Sequence, residues 1–236
     1  MGRNNYNIDD VYPKQPLIEV SCEIRFPLML VIQDKSFLMQ EALGDKYPNI
    51  SVSRKKNALL DVHTLQSSDK MAGISFSGDR FSFFEKNYKG HQGFIKTFLE
   101  TVRIFNKQYK VNNISRLSWR YINLIPFVRD NKGLIPLGKF LDVSLNLPGN
   151  LANVPENISL LFNIPLENGE ILTKIENVLA ADGKEAILLD HDFSINNFAF
   201  VKLETNTINA HKTARDLFEK YITDVYRSYI KGEEAI

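Results

Sequence analysis

The sequence predicts an α+β fold: two layers, a largely antiparallel β-sheet with helices packed on one face. Two observations lead there. Several segments alternate apolar and polar residues, which marks strands with one wet face, and two long segments repeat apolar residues every three or four positions, which marks helices with one dry stripe. Such strands and helices have a simple joint solution, with the helices covering the dry side of the sheet. At 236 residues, 44% apolar and 24% charged, the chain is long enough to build a sizeable core without covalent staples.

The first strand is the clearest. Ile18, Val20, Cys22, Ile24 and Phe26 fall on one side of it, and Glu19, Ser21, Glu23 and Arg25 on the other. The apolar run 26–32 then contains Pro27 and is far shorter than the roughly 20 residues that span a bilayer. Residues 36–43, after Asp34 and before Gly44, read as a short helix, and the stretch from Tyr47 to Gly73 shows no clear period. Ile74–Ser77 and Phe81–Phe84 form a hairpin joined by the three residues Gly78-Asp79-Arg80. Past Gly90 the period changes: Phe94, Phe98, Val102, Phe105 and Tyr109 make one helical stripe.

Leu117, Trp119 and Tyr121 alternate with Ser118 and Arg120 as another half-wet strand, and a short helix is expected within 137–145. Strands around 158–164, 171–179 and 186–193 form a meander through turns at Glu167-Asn168-Gly169 and Ala181-Asp182-Gly183. One last helix carries Ala214, Leu217, Phe218, Tyr221, Ile222, Val225 and Tyr229, with Asn206 or Asn209 as its N-cap. His91, Phe98, Val102, Phe105 and Tyr109 reappear 120 residues later as His211, Phe218, Ile222, Val225 and Tyr229. A single domain over 1–236 with two similar halves, about 15–127 and 135–232, is one explanation. Convergence of two amphipathic helices packed on one sheet is the other.

Composition excludes several classes. With 29 basic and 28 acidic side chains the net charge is +1, which gives no general field for nucleic acid, and the basic run Arg54-Lys55-Lys56 reads as a solvated loop. One cysteine, Cys22, permits no internal disulfide, and the polar first ten residues lack the apolar core of a secretory signal. A soluble protein of a reducing, cytoplasmic compartment is expected, without membrane association. No phosphate-cradling glycine loop, nucleophile elbow or zinc-protease helix is present, so neither a cofactor nor a resident metal is expected. Cys22 lies on the dry side of its strand, where it serves packing and not nucleophilic chemistry.

Two constellations remain. In Asp190-His191-Asp192 the two carboxylates share a strand face while His191 points to the other. A metal-dependent hydrolase or nuclease using Asp190 and Asp192 would therefore need further ligands, from Glu19, Glu23 or Glu176; ion pairs to Lys174 or Arg120 are the alternative. The second constellation is collective. Glu19, Glu23, Arg25, Arg120, Asp190 and Asp192, with Ser118, Lys174 and Glu176, line the face of the sheet that the helices leave open. Arg25 and Arg120 are its expected anchors, because guanidinium groups hold carboxylates and phosphates bidentately.

Short motifs along most of the chain resemble one sporadically distributed family of uncharacterised bacterial proteins of about this length. They are Pro16-Leu17-Ile18-Glu19 leading to Arg25-Phe26, then Tyr88 with His91 and Phe94, Arg116, Arg120-Tyr121-Ile122-Asn123, Leu189-Asp190, and His211 with Phe218 and Ile222-Thr223. Similar proteins often carry tryptophan at the position of His91. The resemblance implies no reaction; sporadic occurrence implies an accessory system such as phage defence or toxin–antitoxin. Together these features lead to a non-catalytic binding or regulatory protein that acts through a partner protein, with self-association left open.

Overall fold

The computed structural model describes residues 11–54, 60–144, 156–233 and 235. Its elements are β1 (Leu17–Arg25), α1 (Val31–Asp34), α2 (Phe37–Leu43), β2 (Asn49–Ser53), β3 (Val62–Gln66), β4 (Ala72–Ser77), β5 (Arg80–Glu85), α3 (His91–Tyr109), β6 (Asn113–Pro126), α4 (Leu137–Phe140), β7 (Ser159–Leu166), β8 (Gly169–Leu179), β9 (Glu185–Ala199), α5 (Leu203–Tyr221) and α6 (Asp224–Lys231). The strands form one antiparallel nine-stranded sheet in the order β2-β3-β4-β5-β1-β6-β9-β8-β7. The long helices α3 and α5 pack on one side of it, as the period argument requires.

The alternation decides which side is dry. Val20, Cys22 and Ile24 of β1, Leu117, Trp119 and Tyr121 of β6, and Leu189, His191 and Phe193 of β9 are all buried beneath the helices. The α3 stripe is buried throughout, from Phe94 to Tyr109. The dry side holds two clusters. The larger gathers α2, α3 and the strands from β3 to β6; the smaller gathers α4, α6, the end of β6 and the start of β9.

From the centre outward the sheet reads alike in both directions: β1 and β6 pair with each other, and each is flanked by a meander that returns to it and runs on into a long helix. The echoed histidines of the two helices meet, with the rings of His91 and His211 stacked 4.3 Å apart. The echo stops at Ile222, which is extended and bridges to Leu141. There the single predicted helix breaks into α5 and α6. Its phase slips as a result, so Val225 is exposed at 52% while Tyr226 and Ile230 are buried.

Other boundaries differ for physical reasons. The stretch without a clear period holds β2 and β3, a short edge pair whose polar outward positions Ser51, Ser53 and Thr64 dilute the apolar signal. Ser77 and Arg80 face each other in the ladder, so the hairpin turn has two residues and Arg80 belongs to β5. Helix α5 begins at Leu203, which puts Asn206 and Asn209 inside it and not at its cap. The helix expected within 137–145 closes at Phe140, and Leu145 lies outside the described residues. Arg54 pairs with Asp61 at 2.6 Å, while Lys55 and Lys56 lie outside the described residues.

Candidate functional site: the open sheet face

Strand pleating sends every second side chain of β5, β1, β6, β9 and β8 away from the helices. The register then fixes which of them are neighbours. One row across the sheet runs Arg80, Arg25, Arg116, Asn196; the next runs Ser82, Glu23, Ser118, Ser194; a third runs Phe84, Ser21, Arg120, Asp192. Asp190 sits between Ile122 and Lys174. Five of the six expected face residues, Glu23, Arg25, Arg120, Asp190 and Asp192, thus lie together on this face. Glu19 lies at an irregularity of the β1–β6 pairing, within electrostatic reach of Arg120 but without a close ion pair among the described residues.

The charges are ordered in depth. Arg120 grips Asp190 with two parallel bonds, Nε to Oδ1 at 2.8 Å and the terminal nitrogen to Oδ2 at 2.5 Å. Asp190 keeps 11% of its side-chain surface exposed and Arg120 43%, so the acid lies at the base and the guanidinium lies over it. This hydrogen bonding raises the Arg120 pKa beyond its ordinary value against the opposing effect of desolvation. Asp192 accepts from Arg116 at 2.7 Å and from the Ser118 hydroxyl. Arg116 reaches Glu23 at 3.8 Å, and Glu23 accepts from Arg25 Nε at 2.7 Å. Arg80 is held by Asp79 at 2.9 and 3.1 Å. Lys174 pairs with Glu176, not with Asp190.

This arrangement leaves little room for a metal at Asp190 and Asp192. Their oxygens are engaged by guanidinium groups, which would repel a cation, and Glu23 and Glu176 are likewise paired with cations. Among the described residues no three His, Cys, Asp or Glu side chains converge as a metal site. His191 faces the core, as alternation requires, with Nδ1 2.9 Å from the Thr173 hydroxyl and its ring beside Tyr221. Burial pushes its pKa down to about 3, so it is neutral. Burial likewise pushes the Cys22 thiol up, away from reactivity.

Two arginines of this face escape a reading by strands alone. Arg80 was assigned to the hairpin turn, and only the two-residue turn moves it onto β5. Arg116 precedes the apolar alternation of its strand, although its spacing of two from Ser118 and four from Arg120 puts it on the same side.

Fold and face define an α+β protein whose uncovered sheet carries a half-buried, ion-paired layer. Against known protein families, curated proteins and solved structures, the chain finds no match. Among the described residues no helix is long and apolar enough to cross a membrane.

Proposed function

We propose that the protein is a non-catalytic binding or regulatory protein whose open sheet face receives an acidic segment of a partner protein. The observation that carries this reading is the row Arg80, Arg25 and Arg116, three guanidinium groups directly opposite one another on adjacent strands. Like charges in that relation destabilise a sheet. Three lysines or threonines would keep the surface just as soluble, whereas arginines present forked donors for carboxylate or phosphate. Arg25 and Arg80 keep 45% and 37% of their side-chain surface exposed, so their outer donors remain accessible. Asp79, Glu23 and Asp192 pair with the three guanidinium groups and hold the row in place.

Arg25 is the residue on which to test this, because among the described residues its only ion pair is with the partly exposed Glu23. Arg25→Ala is expected to change stability by no more than about 1 kcal/mol. It should nevertheless weaken partner binding by roughly thirty-fold or more, the cost of truncating a charge anchor in a buried contact. Co-purification of wild type and variant from the native host, with circular dichroism to verify folding, decides the matter. A folded Arg25→Ala/Arg120→Ala protein that retains every partner would exclude the open face.

A further inference from the structure

At the end of the sheet where β8 meets β9, α5 and the turn between β7 and β8 border an open cleft of about 880 Å³, within the size range of small-molecule sites. Seven polar or charged residues line it: Asn168, Glu170, Asn196, Asn206, Asn209, Lys212 and Thr213. Its floor is Ile195 and the edge of Phe193, whose ring is otherwise sealed at 1% exposure.

Two independent observations mark the cleft as built for a ligand. The first is a conflict between sequence and structure. Asparagine is a poor helix-interior residue and a good N-cap, because its amide competes for nearby backbone groups. In α5 the actual start, at Lys202, has no side-chain cap, while Asn206 and Asn209 sit inside the helix. Among the described residues neither carboxamide, Asn206 half-buried and Asn209 exposed, has a protein hydrogen-bond partner, and both line the cleft with their amides open to solvent. Local rules broken without a structural return are expected at functional positions.

The second observation is rigidity of the facing wall. Gly169 has φ +154°, and a Cβ there would lie 2.1 Å from the Ser194 carbonyl oxygen. Only glycine lets the turn press against β9, which fixes the wall in place before any ligand arrives.

The lining also states the ligand's chemistry. Each of the four carboxamides offers both donors and an acceptor, while Lys212 and Glu170 offset each other in charge. A phosphorylated ligand calls for an excess of cations, and a nucleobase calls for an open aromatic plane, which the sealed Phe193 does not give. We propose that this cleft binds a neutral polyhydroxylated molecule, a mono- or disaccharide, through Asn206 and Asn209 on one wall and Asn168 and Asn196 on the other. Asn196 also ends the arginine row beside Arg116, but none of the three arginines lines the cleft.

The test is thermal unfolding of the full chain with glucose, ribose, N-acetylglucosamine and maltose, beside inorganic phosphate and adenosine. At least one sugar is expected to raise the midpoint. Asn206→Ala/Asn209→Ala, which replaces two poor helix formers, should raise the midpoint of the unliganded protein and abolish the sugar's effect. Asn196→Ala, outside the helix, should weaken binding of the same sugar roughly tenfold by calorimetric titration, the loss of about one hydrogen bond. The proposal is overturned if the double variant melts below the wild type, or if it keeps the sugar-induced shift. It is equally overturned if no sugar shifts the midpoint, or if only phosphate or adenosine does.

Discussion

His191 and His211 are both buried, on β9 and α5, and burial pushes both imidazoles down to about 3. In the unfolded chain they titrate near 6.5. Above that pH both states are neutral at these sites and their full contribution to stability is present. As pH falls from 6.5 toward 3, the unfolded chain takes up protons that the folded protein resists, so stability declines by up to about 1.4 kcal/mol per pH unit for each histidine. Urea unfolding should therefore lose about 4 kcal/mol between pH 7.5 and pH 5 from these two residues. In His191→Asn, whose amide can still meet Thr173, the loss should be about half as large. An unchanged slope would place the acid sensitivity elsewhere. The orientation of His191 was legible in the sequence, because its neighbours Asp190 and Asp192 needed the opposite face. Its neutrality was not, since that follows from the helix and strands packed around it.

At the scale of elements, the break between α5 and α6 turns on one side chain. Thr223 Oγ1 accepts from the Tyr226 amide at 3.1 Å and donates to the Lys139 carbonyl at 2.7 Å, tying the start of α6 to α4. Thr223→Ala is expected to cost about 1 kcal/mol in thermal or chemical unfolding, the usual worth of an N-cap. A cost near zero would mean that the Leu141–Ile222 bridge holds the break by itself. The long strands, the dry stripe of α3 and the β7–β9 meander could be read from the chain, because each repeats its period over several residues. The break could not, since Phe218, Ile222, Val225 and Tyr229 preserve helical spacing through it; the local signal is only Thr223 followed by Asp224. Strands β2 and β3 have five residues each, too few for a period to rise above ordinary variation. The start of α5 was misplaced because asparagines normally cap helices, and here they do not.

The two hydrophobic clusters of the whole molecule share two long strands. Strand β6 gives Leu117, Trp119 and Tyr121 to one and Ile125 to the other, while β9 gives Phe193 to one and Ile187 and Leu189 to the other. Phe98, fully buried in the larger cluster, and Phe218, at 5% exposure in the smaller, should each cost about 3–5 kcal/mol when replaced by alanine. Both substitutions should move one shared unfolding transition, followed by circular dichroism and by Trp119 fluorescence. Separate transitions would show that the halves fold apart. The open face was legible as a polar surface because alternation survives in any single strand. The row of arginines was not, since it exists only once register sets β5, β1 and β6 side by side.

The number of strands also bears on what the open face can hold. Neighbouring strands turn against each other by roughly 20–25°, so over nine strands the two edges are rotated by roughly 160–200°. The uncovered surface is therefore a saddle, with β2 and β7 swinging away from the middle. Strands lie about 4.8 Å apart, so the three arginines occupy a strip about 10 Å across. A flat protein surface cannot follow such a saddle; a narrow projection, such as one acidic loop or the end of a helix, can sit across the strip. Binding of such a projection through the arginines would weaken as salt concentration rises.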